Sequence, residues 1–460
     1  MMNYELFTIF ACLLINTHMK RTILFATMFA GVLMAQAQIP YVYDKEYSGK
    51  EFKMKPVVKP EELPLIEKLP DPFKFQNGKR STDFKDWEQH RYEISQLFQQ
   101  YEIGMRPVLE AGNLKAVIED QAPAPAGGGN RPGGGGFGGF GGGFGGFGGF
   151  GGGQPDETIG ERKQLKVTVK HNGQELVLTA QIQYPKEAKY PCPALLGVSN
   201  TLPGRFFTGR GCAIVNIDVF AVTQHTQKRG TEPINKLYPE LEANGSYCFW
   251  GWCVSRIIDG LQQLGPSKSK IDTKHLAISG CSWAGKCALY CGAFDERIAL
   301  VIAHEPGGGG VASWRYSETL GNVERSFNTN DSWFFANIKT DYAEEKIARM
   351  PVDHHELAAM VCPRALLYFG NTDYEWLADE SGYVSINAAK EVWKTFGIAD
   401  RVGYSISGGH GHCQLPEAEY PYLEAFIDRF LLDKQDVKTE VANAPMFKDV
   451  DWKAWIADWK

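Results

Sequence analysis

A serine at a predicted strand-to-helix junction has the clearest chemical potential in this sequence. The segment LAISGCSWAGK, Leu276–Lys286, places a short apolar run before Gly280 and a helix-forming run after Ser282. A sharp turn of this kind exposes the serine hydroxyl at a sheet edge and needs small neighbours, here Gly280 and Ala284. The backbone N–H that follows the serine then points at a developing oxyanion. The pattern G-x-S-x-A predicts a nucleophile for acyl transfer, although a serine that only caps a helix can have similar local sequence.

A nucleophilic serine needs an imidazole base and a carboxylate, and candidates for both lie downstream. His410 and His412 lie in the loop SGGHGHC, between a predicted strand and the last predicted helix. The carboxylate has two candidate positions, Glu305 in IAHEPGGGG and the pair Asp373 and Glu375 in NTDYEW. Each position follows an apolar run, so each can orient an imidazole and stabilise its charged form. The residues alone leave both choices open.

The elements that must position these groups alternate along the chain from residue 164 onward. Short apolar runs and amphipathic runs in alternation predict a mostly parallel central sheet with helices on both faces, a three-layer sandwich. With a serine on a strand-to-helix turn, this architecture is the α/β-hydrolase fold, in which the triad order is Ser, acid, His. The predicted strands are Leu165–Lys170, Glu175–Tyr184, Ala194–Val198, Cys212–Ile217, Leu276–Ser279, Leu300–Ala303, Ala365–Phe369 and Gly403–Ser407, and the predicted helices are Phe84–Tyr101, Gly251–Leu264, Lys286–Gly292, Ala388–Phe396 and Glu419–Leu432.

An export signal is predicted near the start of the chain. A basic group at Met19–Arg21, an apolar stretch and the small-x-small site Ala35–Ala37 predict a start at Met19 and cleavage after Ala37. We therefore expect an exported protein, periplasmic or secreted, in an oxidising compartment. The predicted organisation is a signal region 1–37, an N-terminal part of the hydrolase domain 38–126, a disordered Gly/Phe-rich insert 127–153, a catalytic core 154–435 and a C-terminal tail 436–460.

Composition argues against several classes of partner. The net charge of -6 provides no basic surface for nucleic acid or an anionic membrane. The apolar stretch of the signal is short for a bilayer span, and the cysteines show no metal-ligand spacing. We expect a monomer with no stable membrane anchor and no nucleic-acid partner, whose serine chemistry uses no metal and no organic cofactor.

Six motifs, taken together and in order, resemble the glucuronoyl esterases of carbohydrate esterase family 15, with the chain as a divergent bacterial-type member. The motifs are GCSWAGK, AFDERIALVIAHEPGGGG, WRYS, PVDHHELAAMVCPRALLY, NTDYEWL and GHGHCQLP, and they extend over roughly residues 80–432 without the insert. The resemblance implies a serine esterase that hydrolyses the ester between 4-O-methyl-glucuronic acid on glucuronoxylan and a lignin alcohol. Two alternatives are an esterase for another carbohydrate ester, such as acetylated xylan, and a carbohydrate-binding pseudoenzyme.

The resemblance also implies a role for each candidate residue. The nucleophile is Ser282, the acid is Glu305, and the base is His412, since the family histidine immediately precedes a cysteine. Glu375 is a backup acid, because some members carry a second acid after the later strand. The other implied assignments are a disulfide between Cys281 and Cys413 and sugar contacts from Lys286, Trp376, Glu324 and Asn330.

The sequence departs from the family pattern near the nucleophile. Trp283 stands where the family usually carries an arginine. Its backbone N–H still serves the oxyanion, with a second donor expected from the loop Gly197–Asn200, but a neutral indole replaces a charge and is expected to weaken transition-state stabilisation. Glu324 adds a carboxylate close to the expected sugar site, which is expected to repel a free uronate more than its neutral ester.

Overall fold

One mixed β-sheet organises the part of the chain that the structure describes. The structure is a computed structural model that describes residues 39–110, 112–121 and 156–459, and its elements belong to the unit that begins at Tyr41. The predicted signal region 1–37 and insert 127–153 lie outside these residues. Within them, ten strands pair in the order β1-β2-β3-β5-β4-β6-β7-β8-β9-β10. The strands are β1 Leu114–Asp120, β2 Ile159–His171, β3 Gln174–Pro185, β4 Cys192–Gly197, β5 Ala213–Ile217, β6 Ile271–Cys281, β7 Ile298–His304, β8 Ala365–Asn371, β9 Val402–Ser407 and β10 Ala442–Asn443.

The sheet is parallel except at one edge. Strand β4 pairs in parallel with β5 and β6, and the pairs from β6 to β10 are all parallel. Strands β1, β2 and β3 are antiparallel, and β3 joins β5 in an antiparallel pair. The predicted hairpin turns at Asn172 and Gly173, whose φ angles of 49° and 71° suit asparagine and glycine. The mostly parallel sheet predicted from the sequence is confirmed.

Helices cover both faces of the sheet, because neighbouring residues of its buried strands point in opposite directions. The helices are α1 Trp87–Phe98, α2 Arg205–Thr208, α3 Pro233–Leu237, α4 Ser246–Ser269, α5 Trp283–Phe294, α6 Trp314–Ser317, α7 Ile338–Asp341, α8 His354–Ala359, α9 Asp379–Thr395 and α10 Tyr420–Phe430. In β7, Leu300 and Ile302 pack on the face covered by α2 and α10, whereas Val301 and Ala303 pack on the face covered by α4, α5, α8 and α9. This is the predicted three-layer sandwich.

The C-terminal segment returns to the core. Strand β10 pairs with β9 at Tyr404 and Ser405. After it, Trp455 lies edge-on to Tyr316 at 4.9 Å, and the Trp459 indole donates a hydrogen bond to the Leu69 carbonyl. Among the described residues, no helix is both long and apolar enough to cross a bilayer.

Candidate active site

The turn at Ser282 has the geometry of a nucleophile elbow. Strand β6 ends at Cys281, α5 begins at Trp283, and Ser282 between them has φ 60° and ψ -127°, a region that L-residues rarely occupy. A Cβ added at Gly280 would lie 2.3 Å from the Ala284 carbonyl oxygen, so only glycine fits there. The predicted strand–turn–helix is therefore present, and it presents Ser282 at the carboxyl edge of the sheet.

Glu305 follows directly after β7 and contacts the imidazole of His412. Its Oε2 lies 2.5 Å from His412 Nδ1 and accepts a hydrogen bond from the Cys413 N–H at 3.0 Å. Its Oε1 accepts from Asn371 Nδ2 at 3.3 Å and lies 3.4 Å from His304 Nε2. The carboxylate is fully buried. Of the two acid positions that the sequence left open, this is the one that touches the histidine.

The environment of Glu305 keeps its carboxylate ionised. Burial raises the pKa of this group, but the adjacent His304 imidazole and hydrogen bonds from His412 and the Cys413 backbone outweigh it and bring the pKa down to about 2. At neutral pH the carboxylate therefore carries its charge. A buried charge beside Nδ1 fixes the tautomer of the imidazole and stabilises its protonated form.

His412 has one nitrogen engaged and one available. Nδ1 faces Glu305, whereas Nε2 has no hydrogen-bond partner among the described residues. No direct hydrogen bond joins Ser282 Oγ to Nε2 in the described part of the chain. In α/β-hydrolases and other serine enzymes this bond is often long without substrate and shortens in the complex.

The alternative candidates have different contacts. His410 and His412 both lie in the segment between β9 and α10 that we term the base loop, residues 408–413. His410 Nδ1 is 3.8 Å from Glu305 Oε1, farther than His412. Asp373 accepts hydrogen bonds from backbone N–H groups of the base loop. Glu375 accepts one from the backbone of Asn322 at 3.3 Å. Among the described residues, neither of the later carboxylates forms a hydrogen bond or an ion pair with an imidazole.

A disulfide joins Cys281 and Cys413, as the resemblance implied. It links the residue before Ser282 to the residue after His412, across a sequence separation of 132 residues. Atoms of Cys281, Glu305, His412 and Cys413 converge within 4.8 Å. Since both sulfurs are bonded to each other, they offer no thiolate, and the cluster lacks the donor set of a metal site.

Reducing this disulfide is expected to lower thermal stability. Closing a loop of this length removes unfolded-state entropy worth about 5 kcal/mol in the loop-closure description. Thermal unfolding with and without reductant measures the change. A variant carrying Cys281→Ser and Cys413→Ser is the control, because reductant should not shift its midpoint further. Thiol labelling of the unreduced, denatured protein that modified both cysteines would contradict the bond.

The buried Lys286, one helical turn after Ser282, forms an ion pair with the half-buried Glu324. Lys286 Nζ lies 2.8 Å from Glu324 Oε2 and 5.3 Å from the ring centroid of Trp333. The other carboxylate oxygen, Glu324 Oε1, accepts the hydroxyl of Thr329 at 2.7 Å. The sequence predicted an added charge at Glu324, whereas in the structure Lys286 compensates this charge. Trp333, which was not among the residues predicted from the sequence, completes this cluster.

Trp283 packs into a wall of aromatic side chains. Its ring stacks on Phe220 at 5.5 Å with an interplanar angle of 29°, and it lies 5.0 Å from Trp250. The Trp283 carbonyl accepts a hydrogen bond from the Tyr247 hydroxyl. The indole is thus held by apolar contacts, whereas the arginine that the resemblance led us to expect at this position would carry a charge.

The two remaining sugar-contact candidates lie on loops. Trp376 follows β8, is 36 % exposed, and lies edge-on to His412 with ring centroids 4.9 Å apart. Asn330 accepts a hydrogen bond from the Ser332 N–H at 3.0 Å and so caps a short turn. Trp376 therefore reaches the imidazole, whereas the Asn330 oxygen is occupied by a local backbone contact.

Comparison with known proteins decides the family. The family model described as "Glucuronyl esterase, fungi" matches residues 167–397, half of the chain. The chain belongs to the glucuronoyl esterase family. The 4-O-methyl-glucuronoyl methylesterase of Cerrena unicolor is 34% identical over 409 residues, 85% of this chain and 75% of that protein. The corresponding enzyme of Phanerochaete carnosa is 31% identical over 436 residues, 91% of this chain and 95% of that protein.

Solved structures of glucuronoyl esterases have the same fold. The catalytic domain from Hypocrea jecorina gives a TM-score of 0.69 at 29% identity, covering 85% of this chain and 96% of that one. A serine-to-alanine mutant of the Sporotrichum thermophile glucuronoyl esterase, in complex with methyl 4-O-methyl-β-D-glucopyranuronate, gives 0.68 at 29% identity, covering 86% and 96%. The predicted α/β-hydrolase fold is confirmed, and this glucuronoyl esterase family member is a carboxylic ester hydrolase.

Proposed function

We propose that this protein is a serine esterase that hydrolyses esters of 4-O-methyl-glucuronic acid on glucuronoxylan, including those to lignin alcohols. Relatives that match most of the chain are named 4-O-methyl-glucuronoyl methylesterases, and one similar structure holds a methyl glucuronate ester. The observation that carries the proposal is the imidazole of His412, which is held by the buried carboxylate of Glu305 and tied by a disulfide to the turn at Ser282. The proposal includes export, on the strength of the signal predicted at 1–37.

In the proposed mechanism, Ser282 Oγ attacks the ester carbonyl carbon while His412 Nε2 takes the hydroxyl proton. The tetrahedral intermediate collapses, the C–O bond to the alcohol breaks, and His412 returns the proton to the departing alkoxide. Water then attacks the acyl-enzyme with His412 again as base, releasing the uronic acid and restoring Ser282. Glu305 stays ionised throughout and stabilises the imidazolium.

Backbone N–H groups are proposed to stabilise the oxyanion. The N–H of Trp283 lies at the start of α5, where the helix dipole also favours negative charge. In the loop Gly197–Asn200, the Val198 N–H donates to the Ser279 carbonyl. This leaves the N–H groups of Ser199 and Asn200 as second donors, and Ser199 has the left-handed φ of 40° that turns this loop.

Near-neutral charge on the proposed sugar side favours the ester over its hydrolysis product. The Lys286–Glu324 pair has no net charge, so it does not select for a carboxylate.

Glu324→Gln would leave the buried ammonium unpaired and is expected to tighten binding of free glucuronate by about ten-fold, roughly 1.4 kcal/mol. Product inhibition by methyl glucuronoside measures this effect. Glu391→Gln on α9 is the control, and an unchanged inhibition constant for Glu324→Gln would contradict the idea.

The substrate is tested by comparing ester classes. Benzyl and methyl esters of 4-O-methyl-glucuronate should be cleaved with a higher kcat/KM than acetyl groups on xylan. Release of acetate without cleavage of glucuronate esters would refute the proposed substrate. Sugar binding without turnover of any ester, at high protein concentration, would instead identify a pseudoenzyme, the alternative suggested by Trp283 in place of arginine.

A further inference from the structure

The segment after β8 holds the backbone of the base loop. Asp373 Oδ2 accepts hydrogen bonds from two consecutive N–H groups of this loop, Gly409 at 2.7 Å and His410 at 3.2 Å. Gly409 has φ 85°, which marks the sharp turn of the loop. One carboxylate oxygen therefore fixes the point at which the chain reverses before it reaches His412.

Neighbours of Asp373 hold the rest of the loop. Asn371 Nδ2 donates to the His410 carbonyl at 3.1 Å and also to Glu305. The Tyr374 hydroxyl oxygen accepts the His412 N–H at 2.9 Å, and its ring lies 5.4 Å from the imidazole. The end of the loop is bonded to β6 through the disulfide. Backbone groups on both sides of the base are thus anchored.

We propose that Asp373 is a positioning residue for His412, an inference that rests on the proposed function. In the commoner α/β-hydrolase arrangement the triad acid follows this later strand, and the sequence left Asp373 as a candidate for that role. Here its carboxylate forms no hydrogen bond or ion pair with an imidazole in the described part of the chain, and it instead accepts hydrogen bonds from the backbone N–H groups of Gly409 and His410. The acid role is left to Glu305, and Asp373 sets the place of the loop that carries the base.

The expected consequence is a loss in turnover with little change in substrate binding. Displacing a general base by about 1 Å can lower a rate by about 100-fold. In the described part of the chain, Asp373 forms no hydrogen bond or ion pair with Lys286 or Glu324, the pair on the proposed sugar side. Binding of the substrate before the reaction should therefore be preserved. Asp373→Ala is therefore expected to lower kcat by about 10- to 100-fold and to change KM by less than about two-fold.

The conservative variant separates positioning from charge. Asp373→Asn retains a carbonyl oxygen that can accept the same N–H groups, and it is expected to recover most of the lost kcat. Tyr374→Phe removes only the acceptor of the His412 N–H and is expected to lower kcat with KM unchanged. The control is Asp451→Ala, because Asp451 is exposed and also accepts a backbone N–H, from Ala454, but lies in the C-terminal segment.

The outcomes distinguish this inference from the proposed function. If Ser282→Ala retains turnover, the proposed function fails, whatever Asp373 does. If Ser282→Ala is inactive and Asp373→Ala turns over at the wild-type rate, the positioning role is wrong. The role is also overturned if Asp373→Asn is as slow as Asp373→Ala, or if Asp451→Ala is equally slow. Thermal unfolding of each variant verifies that the compared proteins are folded.

Discussion

Replacing Ser282 with alanine is expected to abolish ester cleavage, with a fall in kcat of about 10⁵- to 10⁶-fold. The substitution removes the only atom that forms the acyl bond in the proposed mechanism, while leaving backbone donors in place. Release of alcohol from a benzyl glucuronate ester measures the effect, at an enzyme concentration high enough to follow slow residual turnover.

The elbow supplies a matched control for this variant. Ser279 lies in β6, the strand that leads into the turn at Ser282. It is buried, and its hydroxyl has no hydrogen-bond partner among the described residues. Ser279→Ala should therefore remain active. Both variants should unfold at temperatures close to that of the parent protein. Wild-type turnover by Ser282→Ala would remove this serine from the chemistry altogether.

Glu305→Gln is expected to lower kcat by about 10⁴-fold, because an amide of the same size cannot stabilise the imidazolium and favours the wrong tautomer. Glu375→Gln should have a far smaller effect. The carboxylate of Glu375 accepts a hydrogen bond from the Asn322 backbone, and among the described residues it forms no hydrogen bond or ion pair with an imidazole. The two kcat values, measured on the same ester, decide between the acid positions. A larger loss for Glu375→Gln would reverse the assignment.

The same variant has a predicted pH signature in stability. The folded pKa of Glu305 is about 2, below its ordinary 4.5. Its charge therefore stabilises the native state above pH 4.5, and this contribution, about 3 kcal/mol, is lost as the pH falls toward 2. Urea unfolding from pH 7 to pH 3 should show a shallower loss for Glu305→Gln than for the parent. Identical pH dependence in the two proteins would contradict the depressed pKa.

Local sequence predicted the scaffold of the site well. The apolar run before Ser282 and the small residues around it predicted a strand, a tight turn and a helix, and the structure has all three. The buried strands were recognisable as short apolar runs because both faces of the sheet are covered. Strand β1 was missed, since only Ala116 of its seven residues is buried and its sequence carries little apolar pattern.

Long-range choices could not be read from local sequence. Glu305 and Glu375 both follow strands that end at the same sheet edge, and only the fold of the base loop brings His412 to one of them. The resemblance to known esterases supplied that choice. Lys286 lies on α5 and Glu324 on a loop 38 positions further along the chain, so local sequence predicted an unpaired charge where the structure has a neutral pair.

The bond between Cys281 and Cys413 makes a covalent ring of the chain between them. A single proteolytic cut inside this ring opens it without releasing either half. Ser282 and His412, at opposite ends of the ring, would therefore stay on one molecule after such a nick. Electrophoresis of a nicked sample should therefore show two fragments only when a thiol reagent is added.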